Sequence, residues 1–132
     1  MCELPSLFLI FNHTFTEHQE ENARQFLGVT RIISLPDHLQ QLWSAIPPEL
    51  SEIDQYLDPI RKWLGSEASK HDFVLIQGDF GATFILVNTA FELELVPIYS
   101  TTRRVVTEEI LNDGSIKMTH HFQHSIFRKY GC

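Results

Sequence analysis

The chain has 132 residues, of which 43% are hydrophobic and 20% charged, so its composition is that of one globular domain spanning residues 1–132. Its net charge of -7 at pH 7 is opposite in sign to that of a protein built to bind long nucleic acid, which we therefore do not expect as a partner. Every uninterrupted apolar run is shorter than about 18 residues, so we also expect no membrane-spanning helix.

Charge and cysteines are unevenly placed along the chain. Residues 1–102 carry five Lys and Arg against fourteen Asp and Glu, whereas residues 103–132 carry five against three, so a small anionic ligand held by a local site remains compatible with the charge. Cys2 and Cys132 lie near the two ends without metal-binding spacing. We interpret them as free thiols in a reducing cytoplasm, and a disulfide between them requires that the termini meet.

The first elements in chain order are a strand, a helix and a second strand. No basic residue precedes the short apolar run SLFLIFN (residues 6–12), which predicts a strand buried on both faces of a parallel sheet rather than a signal peptide. Thr16 is a favourable N-cap for a helix of about three turns, and Gly28 is a natural end for it. Residues 29–35 predict the second strand.

Two helical segments follow. Pro36 begins a helix whose apolar residues, Trp43 among them, recur at helical spacing, and the two prolines of IPPEL end it. A further helix is predicted over roughly residues 52–69, with a kink or a new start at Pro59. Because Trp43 and Trp63 lie on apolar helix faces, we expect both in the core.

The second half continues the alternation and ends in a hairpin. HDFVLIQG predicts the third strand, GATFILVNTAFELE a helix and LVPIYST the fourth strand. The sequence Asp113-Gly114 between two extended segments predicts a long antiparallel hairpin. The fold class expected is therefore α/β, with a Rossmann-like parallel sheet of strand order 2-1-3-4 flanked by helices, and a C-terminal antiparallel β-hairpin.

In such a sheet a ligand binds outside the carboxyl ends of the strands, where the first and third strands diverge. The turn after the third strand has two glycines, which allow close backbone approach, and the amides of the following helix start can hold a phosphate. The alternative is a tight turn capped by Asp79 or Thr83 with nothing bound. The candidate ligand-binding residues of this segment are Gln77, Gly78, Asp79, Phe80, Gly81, Ala82 and Thr83.

The first strand ends in Asn12, His13 and Thr14, which the topology places beside that turn. The imidazole of His13 can act as a general acid or base, or donate a hydrogen bond to a phosphate. The alternative is a surface histidine without a role.

The fourth strand ends in hydroxyl groups and guanidinium groups, which suit phosphate contacts. Because side chains alternate along a strand, only one of the two adjacent arginines is expected to reach the site, and a solvated pair is the alternative. The candidate ligand-binding residues of this segment are Ser100, Thr101, Thr102, Arg103 and Arg104.

The C-terminal segment HHFQHSIFRKY places His120, Phe122 and His124 on one face of a regular strand. No nearby Cys, Asp or Glu completes a metal-binding set with these histidines, so we assign no metal site. Arg128 either adds positive charge to the ligand site or keeps an exposed strand soluble.

The segments LFLIFNHT, LIQGDFGAT, VPIYSTTRRV and HSIFRKY resemble a family of small stand-alone proteins encoded with type III CRISPR systems. The resemblance covers nearly the whole chain, and its most distinctive element is the turn Gly-Asp-Phe-Gly-Ala-Thr. It implies a ring nuclease of reduced CRISPR-associated Rossmann fold, which acts in antiviral defence on cyclic oligoadenylate, usually cyclic tetra-adenylate.

The resemblance further implies a homodimer around the ring and a reaction that needs no metal or other cofactor. A ribose 2′-hydroxyl attacks the adjacent phosphate, and the helix start with Arg103 stabilises the charge that develops. His13 is the first candidate for the proton transfer and His124 the second. A protein that sequesters the ring without cutting it, or a sensor module that docks on another protein, are the alternatives.

Overall fold

The structure, a computed structural model, describes residues 4–132. Strands and helices alternate along this part of the chain as predicted until the C-terminal hairpin. Their bounds are β1 (Ser6–Phe11), α1 (Glu17–Asn22) with a π-helical continuation (Ala23–Leu27), β2 (Arg31–Ser34), α2 (Asp37–Ser44), a 3₁₀ turn (Gln55–Leu57), α3 (Asp58–Glu67), β3 (Phe73–Gln77), α4 (Phe80–Glu92), β4 (Val96–Ile110) and β5 (Ile116–Lys129).

The strands form one five-stranded sheet of order β2-β1-β3-β4-β5. The four strands β2, β1, β3 and β4 are mutually parallel, and β5 pairs with β4 in the antiparallel sense. The predicted order 2-1-3-4 and the C-terminal hairpin are thereby confirmed, and the fold is Rossmann-like α/β. The hairpin is part of the same sheet, because the predicted fourth strand and the first hairpin arm are a single strand of 15 residues.

The β4 strand has two partners along its length. Its start, at Val96, Pro97 and Ile98, pairs with β3, and the rest pairs with β5. A register shift between Ser100 and Thr102 separates the two parts. Such a bulge bends the strand, and here it falls where β4 passes the carboxyl end of β3.

Two apolar cores cover the two faces of the sheet. The connections β1 to β2 and β3 to β4 run in opposite directions across it, so right-handed crossovers place α1 and α4 on opposite faces. All six residues of β1 are buried, as predicted for a central strand covered on both sides. The α1 face buries Leu7, Leu9, Phe11, Ala23, Val29, Leu75 and Ile98, and the other face buries Phe8, Ile10, Trp43, Leu57, Ile60, Leu64, Ile76 and Leu86 among others.

The helices begin and end near the capping residues and prolines that the sequence analysis identified. Thr16 and Gln19 form a capping box, and Gly28 ends the segment with a φ of 71°, although its second half is π-helical rather than α-helical. Pro59 stands in the first turn of α3, where a missing amide costs nothing. The helix predicted over roughly residues 52–69 is therefore shorter than expected and follows a 3₁₀ turn, and of the two outcomes predicted at Pro59, a kink or a new start, the new start is confirmed.

The tryptophans pack as predicted. Trp43 is buried, and the half-buried Trp63 meets the ring of Phe8 edge-on at 5.6 Å between centroids. Cys132 is exposed, and the question of a bridge to Cys2 lies outside the described residues. Between residues 4 and 132, no helix is both long and apolar enough to cross a membrane.

Candidate active site

A cavity of about 470 Å³ opens at the carboxyl edge of the sheet on the α1 face. Its volume lies within the range of small-molecule sites, roughly 300–1,000 Å³. It is bounded by the ends of β1 and β3, the bulged part of β4 around Ser100, the start of α1 and the middle of β5. The lining residues are Phe11, His13, Thr14, Thr16, His18, Gln19, Gln77, Ser100, Thr102, Phe122, Gln123 and His124.

The capping box of α1 shapes the entrance of this cavity. The Thr16 amide donates to Gln19 Oε1 at 2.9 Å, and the Gln19 amide donates to Thr16 Oγ1 at 3.1 Å. The loop between β1 and α1 is thus fixed, with the exposed His13 on one side and the exposed His18 in the first helical turn. The sequence interpretation missed His18, although its place two residues after the cap puts it at the same edge of the sheet as His13.

Three elements meet at His124. The Ser100 hydroxyl on β4 lies 2.5 Å from Nδ1 of this imidazole, and Asn22 Oδ1 at the end of α1 lies 2.8 Å from Nε2. An amide oxygen only accepts hydrogen bonds, so Nε2 carries the hydrogen. In the neutral ring Nδ1 is then the acceptor, and the Ser100 hydroxyl donates to it.

The surroundings keep this imidazole uncharged. Burial lowers the pKa of His124 below the ordinary histidine value, and the nearby His18 lowers it further. The two rings lie 5.5 Å apart between centroids, and His18 Nε2 also approaches the His124 carbonyl oxygen at 3.1 Å. His124 is therefore in the protonation state that can accept a proton near neutral pH.

The floor of the cavity is held by Gln77 and by the bulge of β4. The Ser100 amide donates to Gln77 Oε1 at 2.8 Å, which fixes the serine at the end of β3. The Thr101 hydroxyl lies 3.1 Å from both the backbone nitrogen and the carbonyl oxygen of Ile126, so it serves the bulge rather than the cavity. The exposed Thr102 lines the cavity beside Ser100.

The glycine turn after β3 lies on the other face of the sheet. A Cβ on Gly78 would come within 2.8 Å of the Trp43 ring, so the glycine permits this packing, and the Trp43 indole N–H donates to the Gln77 carbonyl at 3.2 Å. A second hollow of about 260 Å³ is present there. It is lined by Gln77, Gly78, Phe80, Thr83, Tyr99 and Tyr130.

The start of α4 is capped by the side chain of Asp79, the residue that precedes the helix. Asp79 Oδ1 accepts from the Ala82 amide at 3.0 Å, and the Thr83 amide donates to the Asp79 carbonyl at 2.8 Å. Asp79, rather than Thr83, is thus the cap. The Asp79 carboxylate occupies part of the amide cluster that was predicted to hold a phosphate. Gly81 is the second residue of α4. Phosphate binding by this turn stays a prediction.

The remaining predicted residues lie outside the cavity lining. Asn12 Oδ1 accepts from the Ser44 hydroxyl at 3.1 Å, which turns it toward α2. Arg103 and Arg104 are exposed on the hairpin, and Arg104 contacts His120 Nδ1 at 3.0 Å. Arg128 donates to the Tyr99 hydroxyl at 3.1 Å and stands over its ring, on the side of the second hollow.

Side chains that could ligate a metal ion are dispersed across residues 4–132. Within that range no three or more His, Cys, Asp or Glu side chains come together as a possible metal site. Both ring nitrogens of His124 already have partners in Ser100 and Asn22.

The fold and site together define a small Rossmann-like domain with a cavity of histidines and hydroxyls at its topological switch point. The chain belongs to the Uncharacterized protein MJ1673 family, whose profile matches residues 5–128. It is 49% identical over 127 residues to the Uncharacterized protein MJ1673 of Methanocaldococcus jannaschii, covering 96% of this chain and 98% of that protein. No solved structure matches the chain.

Proposed function

We propose that the protein is a metal-independent ring nuclease that cleaves cyclic tetra-adenylate in the cytoplasm and so ends type III CRISPR signalling. The sequence resemblance supports the substrate. The observation that carries the proposed chemistry is the placing of His13, His18 and His124 around one cavity with the Ser100 hydroxyl. These imidazole and hydroxyl groups can exchange protons, and they lie where a Rossmann-like sheet binds its ligands. Such an arrangement suits the transfer of a phosphoryl group between ribose hydroxyls.

The reaction is an internal displacement at phosphorus. The ribose 2′-oxygen attacks the adjacent phosphate, the bond from phosphorus to the 5′-oxygen breaks, and the products are a 2′,3′-cyclic phosphate and a 5′-hydroxyl. One group must remove the 2′-hydroxyl proton and another must protonate the leaving 5′-oxygen. His13 is exposed at the cavity entrance, with its ring edge-on to Phe11 at 5.4 Å, and is free to exchange a proton with a ligand.

The ligand is larger than one cavity. A volume of about 470 Å³ suits one small-molecule ligand, so a ring of four nucleotides requires a second copy of the site. A homodimer with two-fold symmetry supplies that copy. Phe122, 73% exposed at the cavity edge, offers a face on which an adenine can stack.

Incubation of the purified protein with labelled cyclic tetra-adenylate in EDTA tests this proposal. We expect linear fragments that end in a 2′,3′-cyclic phosphate. An intact ring that co-elutes with the protein would indicate a sequestering protein instead, and no retention of the ring would exclude both functions.

The role of His13 is tested by His13→Ala, with His38→Ala as the matched control, because His38 is an exposed histidine on α2 that does not line the cavity. We expect His13→Ala to slow cleavage by roughly 10²- to 10⁴-fold, the usual contribution of a general acid or base. The control should cleave at the wild-type rate. Equal rates for both variants would remove the role from His13.

A further inference from the structure

We propose that Ser100, His124 and Asn22 form a proton relay, in which the Ser100 hydroxyl takes the proton of the attacking ribose 2′-hydroxyl and passes its own to His124 Nδ1. Asn22 is a positioning residue in this relay, and Ser100 is the group that touches the substrate. The inference rests on the proposed cleavage reaction and names the residues that would carry its first proton transfer.

The direction of the relay follows from the hydrogen bonds. Asn22 Oδ1 accepts at 2.8 Å from Nε2, which leaves Nδ1 as the basic nitrogen of the ring. The Ser100 oxygen is 2.5 Å from Nδ1, so its proton points at the imidazole and its lone pairs are left for another donor. Enzymes activate a weakly reactive hydroxyl by placing an imidazole beside it and a third group that orients the imidazole. Ser100, His124 and Asn22 have this arrangement.

The three residues come from three different elements, and each is fixed independently. Asn22 is the last residue of α1 before its π-helical turn, and such turns recur at functional sites. His124 lies on β5, with its ring against Phe127 at 4.4 Å between centroids. The Ser100 amide donates to Gln77 Oε1 at 2.8 Å, which fixes the backbone of the serine beside the cavity, and the contact with His124 Nδ1 orients its hydroxyl.

A direct role for His124 at the substrate conflicts with the same geometry. Both ring nitrogens already have protein partners, whereas Ser100 lines the cavity itself. A proton from a ligand therefore reaches the imidazole through the serine oxygen. After the step His124 is an imidazolium that donates to both Ser100 and Asn22, the 2′-oxygen bonds to phosphorus, and the leaving 5′-oxygen takes its proton from His13.

The electrostatic surroundings of the imidazole are simple. From α1, His18 is the titratable group that faces the ring. The contacts from β4 and β5 are with the uncharged Ser100 and Phe127. A charge introduced at position 22 should therefore act on His124 with little competition.

The test compares cleavage by wild type, Ser100→Ala, Asn22→Ala and Asn22→Asp, with Asn88→Ala as the control on the exposed side of α4. We expect Ser100→Ala and Asn22→Ala to slow cleavage by roughly 10-fold or more, with the control unchanged. In Asn22→Asp, the carboxylate beside Nε2 favours the imidazolium, so the acid limb of the pH–rate profile should move to higher pH. A residue that only supports the fold would not shift that limb.

A second measurement reads the relay without turnover. ¹⁵N–¹H correlation spectra should show His124 with its hydrogen on Nε2 in the wild type, and a loss of this preference in Asn22→Ala. If the wild type cleaves the ring and the variants cleave equally fast, or if the hydrogen lies on Nδ1, the relay is wrong and the ring-nuclease proposal stands. If the wild type does not cleave the ring, both proposals fail.

Discussion

Replacing Gly78 by alanine should destabilise the protein more than any other small change in the turn after β3. A Cβ built on Gly78 lies 2.8 Å from Trp43 Cζ2 and 2.9 Å from Cε2 and Nε1 of the same ring. The ring cannot yield easily, because it is 1% exposed and surrounded by the core of the α4 face. Either the indole or the backbone at the end of β3 must move.

The expected cost has two parts. Overpacking a well-packed core costs about 1–3 kcal/mol, and displacement of Trp43 also strains or breaks its hydrogen bond to the Gln77 carbonyl, worth about 0.5–1.5 kcal/mol. The sum is about 1.5–4.5 kcal/mol. For a chain of 132 residues the unfolding entropy near the midpoint is about 0.28 kcal/mol/K, so the loss corresponds to a fall in Tm of about 5–16 °C.

Gly81→Ala is the matched control, three residues further along the same turn. Its added Cβ meets only Asp79 Oδ1 at 3.5 Å and Ile53 Cδ1 at 3.6 Å, which are ordinary contacts. Position 81 is in the first turn of α4, where alanine is a better helix former than glycine, so we expect no loss and a gain of up to about 1 kcal/mol. Thermal unfolding of both variants decides the matter, and equal Tm values would refute the steric account of Gly78.

Two further changes test the cap of α4 and the burial of His124. Asp79→Ala should cost about 1 kcal/mol through loss of the bond to the Ala82 amide, whereas Asp79→Asn should cost only a few tenths, and urea titration distinguishes them. Because the folded-state pKa of His124 is depressed, the unfolded chain binds more protons below about pH 6.5, and the free energy of unfolding should fall as the pH decreases through that region. His124→Gln should reduce the slope between pH 7.5 and 5.5, and an unchanged slope would contradict the burial argument.

The strand order was predictable from sequence because each crossover is fixed by local features. Continuous apolar runs such as residues 6–12 require two covered faces, and caps such as Thr16 and Gly28 set the helix between strands. With those elements in place, the handedness of the crossovers leaves few topologies. The continuity of β4 through Ser100 was not predictable, because the polar run from 100 to 104 has the composition of a strand end.

The candidate site was predicted less completely than the fold. The predicted strand ends placed His13, Gln77 and Ser100 at one edge of the sheet, and the structure brings all three into the cavity lining, although Ser100 lies within β4 rather than at its end. His18 and Asn22 were missed because their roles depend on the angle at which α1 crosses β5, a contact between residues about a hundred positions apart. The glycine turn was assigned to the same side as His13, yet its position is set by Trp43, and no local pattern in the turn itself reveals that packing.

The distribution of charge bears on how a ring of phosphates would be held. The residues that line the cavity, all within 4–132, include histidines and hydroxyls but no Lys or Arg. In a chain with a net charge of -7, four phosphates need cations from elsewhere. Arg103 and Arg104 are exposed on the long hairpin, beyond the cavity of their own chain. The proposed homodimer would therefore have to bring the guanidinium groups of one copy to the phosphates bound by the other.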